Sequence, residues 1–445
     1  MVKLISGIWM PINNILNNKN FDSMRIPKKI AAALSVYESL WRWCMPLLRL
    51  NSRMQEGFAD RCTGNRLPPA DLWIQAASAG ESFLAWSLME TLQPDRPIRV
   101  LVTTTTRQGL DILQRAIDSA SKTNPQIIAA CAYFPFDRPS IMEQAVRRVH
   151  PRLMVLLETE IWPGLLTALK KNNRKTVIIN GRLTPKSLKR YLIWPSLWKT
   201  LSPDRILAIS GDDASRFAAL FGQEIVRTMS NIKFDRLQTE TATSGNPLQK
   251  WLPDTVPFLV LGSVREPEEE DIGQIIEAVR SRVPGTVIGL FPRHMHRMAA
   301  WEQRLTRLDI PWQLRSSLDN APAKPGTVIL WDMFGELNHA YALASAVFVG
   351  GSLAPLGGQN FLEPMIHGIV PVIGPFWDNF AWVGNDIFEQ GLAMKVPDGP
   401  AVAAELVRQL TRPKPAPSHQ AAAVRYIEER KGGSIQACRV IKEYL

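Results

Sequence analysis

From about residue 70 onward the chain alternates short apolar runs, each long enough for one strand, with longer stretches of helical spacing. Candidate strands fall at 72–77, 99–103, 127–133, 153–157, 176–179 and 205–209 in the first half, and at 258–262, 286–290, 328–331, 346–349 and 370–373 in the second. Strands that alternate with helices pair in parallel, because the helix carries the chain back across the sheet, so this rhythm specifies α/β layers. At 445 residues the chain is too long for one ordinary core, and each half has its own set of strands. Two doubly wound domains are therefore expected, with ligands beyond the carboxyl ends of the strands.

The polar run Thr-Glu-Thr-Ala-Thr-Ser-Gly-Asn at 239–246 has little apolar content and marks a linker. It separates a first domain at 61–238 from a second at 247–425, and a helical segment at 426–445 is free to return to the first. Residues 1–60 form a separate basic and aromatic segment, in which Leu34, Trp41, Trp43, Met45, Leu47, Leu48 and Leu50 are interleaved with Arg42, Arg49 and Arg53. Such a segment either lies in a lipid headgroup layer or packs as an ordinary amphipathic helix. Residues 1–11 lack the long apolar stretch and cleavage site of a signal peptide. No apolar run approaches the ~20 residues that span a bilayer, so any membrane attachment is peripheral.

The 52 Lys and Arg against 41 Asp and Glu leave a net charge of +11, which calls for an anionic partner. Nucleic acid is disfavoured, since there is no basic arm, zinc-finger spacing or aromatic RNA-binding stripe; an anionic membrane or substrate remains. Cys44, Cys62, Cys131 and Cys438 are scattered without metal or disulfide spacing, as in a reducing compartment.

The loops after strands carry the chemistry. Residues 350–364, Gly-Gly-Ser-Leu-Ala-Pro-Leu-Gly-Gly-Gln-Asn-Phe-Leu-Glu-Pro, are either a glycine-rich turn with a good helix cap or a loop whose backbone N–H groups hold a phosphate. Glu81, in Ala-Ser-Ala-Gly-Glu, opens a helix and is either a general base or a carboxylate matched to the helix dipole. Glu158 and Glu160 precede Trp162-Pro163 and form a polar pair without the His or Cys of a transition-metal shell. Arg182, Lys233 and Arg293 stand in three cationic loops suited to phosphate or carboxylate. His294 and His296 lack a third ligand, and no metal site is expected. The P-loop and nicotinamide glycine fingerprints are absent.

Eight segments, in order, resemble the 3-deoxy-D-manno-octulosonic acid (Kdo) transferases of lipopolysaccharide synthesis: Ala77-Ser78-Ala79-Gly80-Glu81, Thr103-Thr104-Thr105-Thr106, Glu158-Thr159-Glu160-Ile161-Trp162-Pro163, Asn180-Gly181-Arg182-Leu183, Asn231-Ile232-Lys233-Phe234-Asp235, Phe291-Pro292-Arg293-His294, Gly335-Glu336-Leu337 and Gly357-Gly358-Gln359-Asn360-Phe361-Leu362-Glu363-Pro364. The resemblance implies a GT-B glycosyltransferase fold, two facing Rossmann-like domains with an interdomain cleft. It implies transfer of Kdo from CMP-Kdo to a lipid A precursor with inversion, without a cofactor, on the cytoplasmic face of the inner membrane. Carried over by position, Glu81 matches the catalytic base, and Pro292, Arg293, Gly335, Leu337, Asn360 and Glu363 match donor contacts. Glu160, Arg182 and Lys233 are further candidates for substrate or phosphate contact.

Four positions depart from the family pattern. Val264-Arg265 stands where Thr-His is usual, Phe334 where Met is usual, Ser230 where Gly is usual and Gly181 where Ala is usual. Two other functions remain open: a GT-B enzyme using a UDP-sugar on a lipid or cell-wall precursor, and a non-catalytic binder of anionic lipid. The oligomeric state, the number of Kdo residues added and the acceptor's acyl pattern are not legible in the sequence.

Overall fold

A computed structural model describes residues 27–50, 52–237, 245–252, 256–318, 322–412 and 417–445. The expected linker at 239–246 lies outside the described residues except for its last two positions, as do residues 1–26 of the N-terminal segment. The chain divides into two compact units, one formed by residues up to Arg236 together with Arg430–Leu445, the other by Leu237–Glu429.

In the first unit, β1 (Leu72–Gln75), β2 (Ile98–Thr104), β3 (Ile127–Tyr133), β4 (Leu153–Leu157), β5 (Lys175–Gly181), β6 (Arg205–Ala208) and β7 (Val226–Thr228) make one parallel sheet in the order β3-β2-β1-β4-β5-β6-β7. Both faces are covered. Leu72 and Ile74 of β1 enter one core with Leu84, Leu88, Val100 and Val155, while Trp73 enters the other with Leu101, Phe134 and Met154. Alternating sides along a strand buried on both faces is what a continuous apolar run encodes.

The N-terminal segment is not a detached element over its described part. The helix Lys28–Leu48 buries Ile30 and Leu34 in the core that holds Trp73, and Tyr37 and Trp41 against Phe136. Its apolar positions follow helical spacing, and each buried side chain stabilises the docked helix by roughly 1.5–3 kcal/mol. Trp43, Leu47 and Leu50 point away from that core and are exposed. At the other end of the chain, the helix Gly433–Tyr444 packs Ala437, Cys438 and Ile441 into the first unit. Asp235 fastens it, accepting the backbone N–H groups of Gly432 and Ser434 at 2.7 and 2.6 Å.

The second unit holds β8 (Phe258–Val264), β9 (Val287–Pro292), β10 (Trp312–Leu314), β11 (Val328–Leu330), β12 (Ala346–Val349), β13 (Val372–Ile373) and β14 (Met394–Lys395), in the parallel order β10-β11-β9-β8-β12-β13-β14. Leu259, Leu261, Ile288 and Phe348 pack beneath the helices Glu269–Arg282 and Gly399–Leu410. Three strands escape the pattern of apolar runs, namely β7, β10 and β14. Each has two or three residues and lies at a sheet edge, too short to show a period. Among the described residues no helix is long and apolar enough to cross a membrane.

Candidate active site

Each sheet has a point where the winding reverses, between β1 and β4 in the first unit and between β8 and β12 in the second. Loops leaving adjacent strands diverge there and open a crevice at the carboxyl edge. The sequence motifs collect at these two edges.

In the first unit the chain turns from β1 into the helix Ala79–Thr91, whose N-terminus is capped by Ser78. Glu81 lies in the first turn and folds back, its carboxylate accepting the Ala77 N–H at 2.6 Å and the Ser78 hydroxyl at 2.9 Å. This is a cap in the sense of the bland alternative, but it also holds the carboxylate in one place at the strand edge. Burial pushes Glu81 up from the ordinary carboxyl range to about 8, the charges of Glu160 and Glu158 add to the rise, and the two hydrogen bonds oppose it.

Glu158 and Glu160 follow β4. Glu158 takes a left-handed backbone conformation, φ 56°, and pairs with Lys233 Nζ at 2.7 Å. Lys233 is thus engaged by a carboxylate of its own unit. Burial raises Glu160 to about 7, against hydrogen bonds from Trp162 and Gln75; the Trp162 indole N–H donates to it at 2.7 Å. Behind this pair, Asp137 is fully buried and caps the helix Pro163–Lys171, accepting N–H groups from Gly164 and Leu165 at 2.9 and 2.7 Å and the Tyr37 hydroxyl at 3.0 Å. Its burial raises it to about 7.

The loops after β5 and β7 lock one another. Asn180, at φ 57° beside a bulge in the β5–β6 register, accepts the Ile232 N–H at 2.9 Å through its side chain. The Thr159 hydroxyl donates to the Arg182 carbonyl, and Arg182 itself is half-buried. Two departures have local causes. A Cβ at Gly181 would lie 2.9 Å from the Phe217 ring, so alanine does not fit without a shift. The Ser230 hydroxyl, which glycine lacks, accepts a hydrogen bond from Gln436 Nε2 of the C-terminal helix at 3.4 Å.

In the second unit Pro292 ends β9 and is buried, while Arg293 steps off into solvent. Gly335 takes φ 83° and Leu337 begins a short helix. Glu336 between them is held by Arg315 and by the Trp331 indole, each at 2.9 Å. Asn360 donates to Glu363 at 2.8 Å and accepts the Leu362 N–H at 3.2 Å, capping the five-residue helix Leu362–Ile366. Burial raises Glu363, with Asn360 and Arg293 opposing the rise.

The first part of the glycine-rich loop is satisfied from within the unit. Its first three free N–H groups, of Gly351, Ser352 and Leu353, donate to the fully buried carboxylate of Glu268 at 2.5, 2.8 and 2.8 Å. Glycine at 350 is required by close packing, since a Cβ there would sit 2.7 Å from the Ser263 carbonyl. These three N–H groups are thus taken by the protein's own carboxylate. Glu268 escaped the sequence reading, although its place in the run Glu266-Pro267-Glu268-Glu269-Glu270 was the available signal. Among the described residues no cluster of three or more His, Cys, Asp or Glu is arranged to hold a metal ion.

With this geometry in view, residues 49–236 match the family described as 3-Deoxy-D-manno-octulosonic-acid transferase (kdotransferase). A 3-deoxy-D-manno-octulosonic acid transferase of Bordetella pertussis is 28% identical over 419 residues, covering 91% of this chain and 96% of that protein. One from Haemophilus influenzae is 28% identical over 363 residues, covering 77% and 82%. Among solved structures, Anabaena HepE in complex with UDP aligns with a TM-score of 0.55 at 15% identity, covering 84% of this chain and 98% of that one, a likeness of fold.

Proposed function

The chain belongs to the 3-deoxy-D-manno-octulosonic acid transferase family and has the GT-B fold, and from that premise we propose that it transfers Kdo from CMP-Kdo to a hydroxyl of a lipid A precursor at the inner membrane. The observation that carries the mechanism is Glu81, a carboxylate pinned at the winding reversal and raised to about 8 by burial and two neighbouring glutamates. A base whose pKa lies near the working pH is matched to taking a proton from an alcohol.

In this mechanism the acceptor oxygen bonds to the ketosidic carbon of the donor as the bond from that carbon to the phosphate oxygen breaks. The bonding pair leaves with CMP, and the acceptor's proton passes to Glu81. Attack opposite the leaving group inverts the carbon. Arg293 supports the negative charge growing on the departing phosphate, while Asn360 and Glu363, tied together and held by the second unit, bind the nucleotide side of the donor. Glu160 raises the proton affinity of Glu81.

Two features support attachment to an anionic membrane. Trp43 and Leu50 are each 81% exposed on or just beyond the helix Lys28–Leu48. Residues 161–203 contain nine Lys and Arg and no Asp or Glu, and Leu192 and Ile193 are exposed within that stretch.

The test is incubation of the purified protein with CMP-Kdo and a lipid A precursor, read by product mass. A mass gain of one or more Kdo residues is expected, and Glu81→Gln should lower turnover by ~10²–10⁴-fold while thermal protection by CMP is retained. Protection by UDP but not CMP would overturn the donor assignment.

A further inference from the structure

Three N–H groups of the glycine-rich loop, those of Gly351, Ser352 and Leu353, are already occupied by Glu268. A different pair of groups stands beside it. Val264 of β8 and Pro292 of β9 are partners in the parallel register, so Arg265 and Arg293, each one residue further on, leave the carboxyl ends of adjacent strands side by side. The Arg293 N–H donates to the Val264 carbonyl at 2.8 Å, which fixes this juxtaposition. Ser263, at φ 56° in the register shift between the two strands, re-aims the chain just before Arg265.

Two guanidinium side chains carried on adjacent strand ends raise the positive potential at that edge and favour an anion there. The nearby carboxylates are committed elsewhere. Glu266 and Glu269 pair with Arg297 at 2.9 and 2.7 Å, Glu270 with Arg304 at 2.8 Å and Glu268 with the loop, while Glu363 bonds to Asn360 and feels the Arg293 charge only at longer range. Among the described residues neither the Arg265 nor the Arg293 guanidinium makes a salt bridge or hydrogen bond, although the Arg293 charge reaches Glu363. The concentration of positive charge is felt by His294, which is pushed below the usual imidazole range by burial and then by Arg265, His296 and Arg293.

We propose that Arg265 is a further donor-binding residue, which closes with Arg293 on an anionic oxygen of the donor, either of its phosphate or of its sugar carboxylate. This rests on the CMP-Kdo reading above and gives a purpose to the departure at position 265. A planar guanidinium presents paired N–H donors to an oxyanion, so side chains do here what backbone N–H groups do in a glycine cradle.

The experiment compares the wild type with Arg265→Ala and Arg265→Gln, measuring binding of CMP, cytidine and CMP-Kdo by thermal shift and titration calorimetry. Loss of one charge-assisted contact should weaken the anionic ligand roughly ten- to a hundredfold and leave cytidine, which lacks the phosphate, unchanged. Weakening of both CMP and CMP-Kdo assigns the contact to the phosphate; weakening of CMP-Kdo alone assigns it to the sugar carboxylate. Unchanged binding of all three ligands to a folded variant overturns the inference while leaving the donor reading intact. If the wild type binds neither CMP nor CMP-Kdo, the donor reading and the inference fall together.

Discussion

Replacing Glu160 by Gln tests whether the raised pKa of Glu81 is built by its neighbours. The rise of Glu81 from its ordinary value of 4.5 to about 8 corresponds to a cost of about 5 kcal/mol for ionising it in place, at about 1.36 kcal/mol per pH unit. Burial is the largest cause and the Glu160 charge the next. Glutamine keeps the shape of Glu160 and an oxygen for the Trp162 indole, so the substitution removes the charge and little else. Neighbouring charges move a carboxyl by about one to two units, which would bring Glu81 down to roughly 6–7. The assay is kcat/KM against pH at constant ionic strength, where the rising limb reports the free enzyme's base. In the wild type that limb should be centred near 8, because Glu81 acts only when deprotonated. In the variant it should move one to two pH units lower, with a plateau several-fold lower because the weaker base takes the proton less readily. The two profiles then cross, the variant gaining on the wild type near pH 6 and trailing it near pH 9. A limb that stays near 8 in a variant of unchanged thermal stability would refute the coupling. Loss of all activity at every pH would instead mean that Glu160 itself touches substrate.

Replacement of Glu268 by Leu leaves three loop N–H groups without an acceptor and should cost at least ~3 kcal/mol in urea unfolding of the full chain; a loss below about 1 kcal/mol would mean that the loop finds other partners. Stability of the wild type should fall as pH rises from 6.5 to 8.5. Glu81, Glu160 and Asp137 have folded pKa values raised to about 8, 7 and 7, so the stability they confer is complete below the unfolded carboxyl range and is lost through these values, roughly 3 kcal/mol of it in this interval. His294, His367 and His419 are lowered and act in the opposite sense, but below that interval. A flat denaturation midpoint from pH 6.5 to 8.5 would contradict the burial of these carboxyls.

Most of the architecture was legible because its long central strands are apolar at successive positions and its helices repeat every three to four residues. β4 reads as Leu-Met-Val-Leu-Leu, and all five residues are buried. The edge strands β7, β10 and β14 were not legible, since two or three residues held by pairing to one neighbour carry no period. Position in a motif placed Glu81, Arg293, Asn360 and Glu363 in the segments that follow strands but did not show what each bonds. Lys233 reads as a free cation in a loop, yet its amine meets Glu158, 75 residues earlier in the chain. Asp235, in the same motif, serves to fasten the last helix, a partner nearly 200 residues away.

The glycine-rich loop shows where local information stops. Its sequence leaves open a capped turn or a cradle of backbone N–H groups, because glycines permit the close approach and the positive φ angles that either would need. Which oxyanion arrives is decided by what the β8 loop carries to the same sheet edge, and it carries the Glu268 carboxylate. By itself, then, the sequence determined the two parallel sheets, the strand-end loops and the kinds of group they bear, since hydrophobic period and backbone freedom are local properties. Only the tertiary structure decided the partners, for hydrogen bonds and ion pairs are made across the sheet edge between residues distant in the chain. The same register that left Glu268 buried in the loop set Arg265 and Arg293 on adjacent strand ends with neither in a salt bridge.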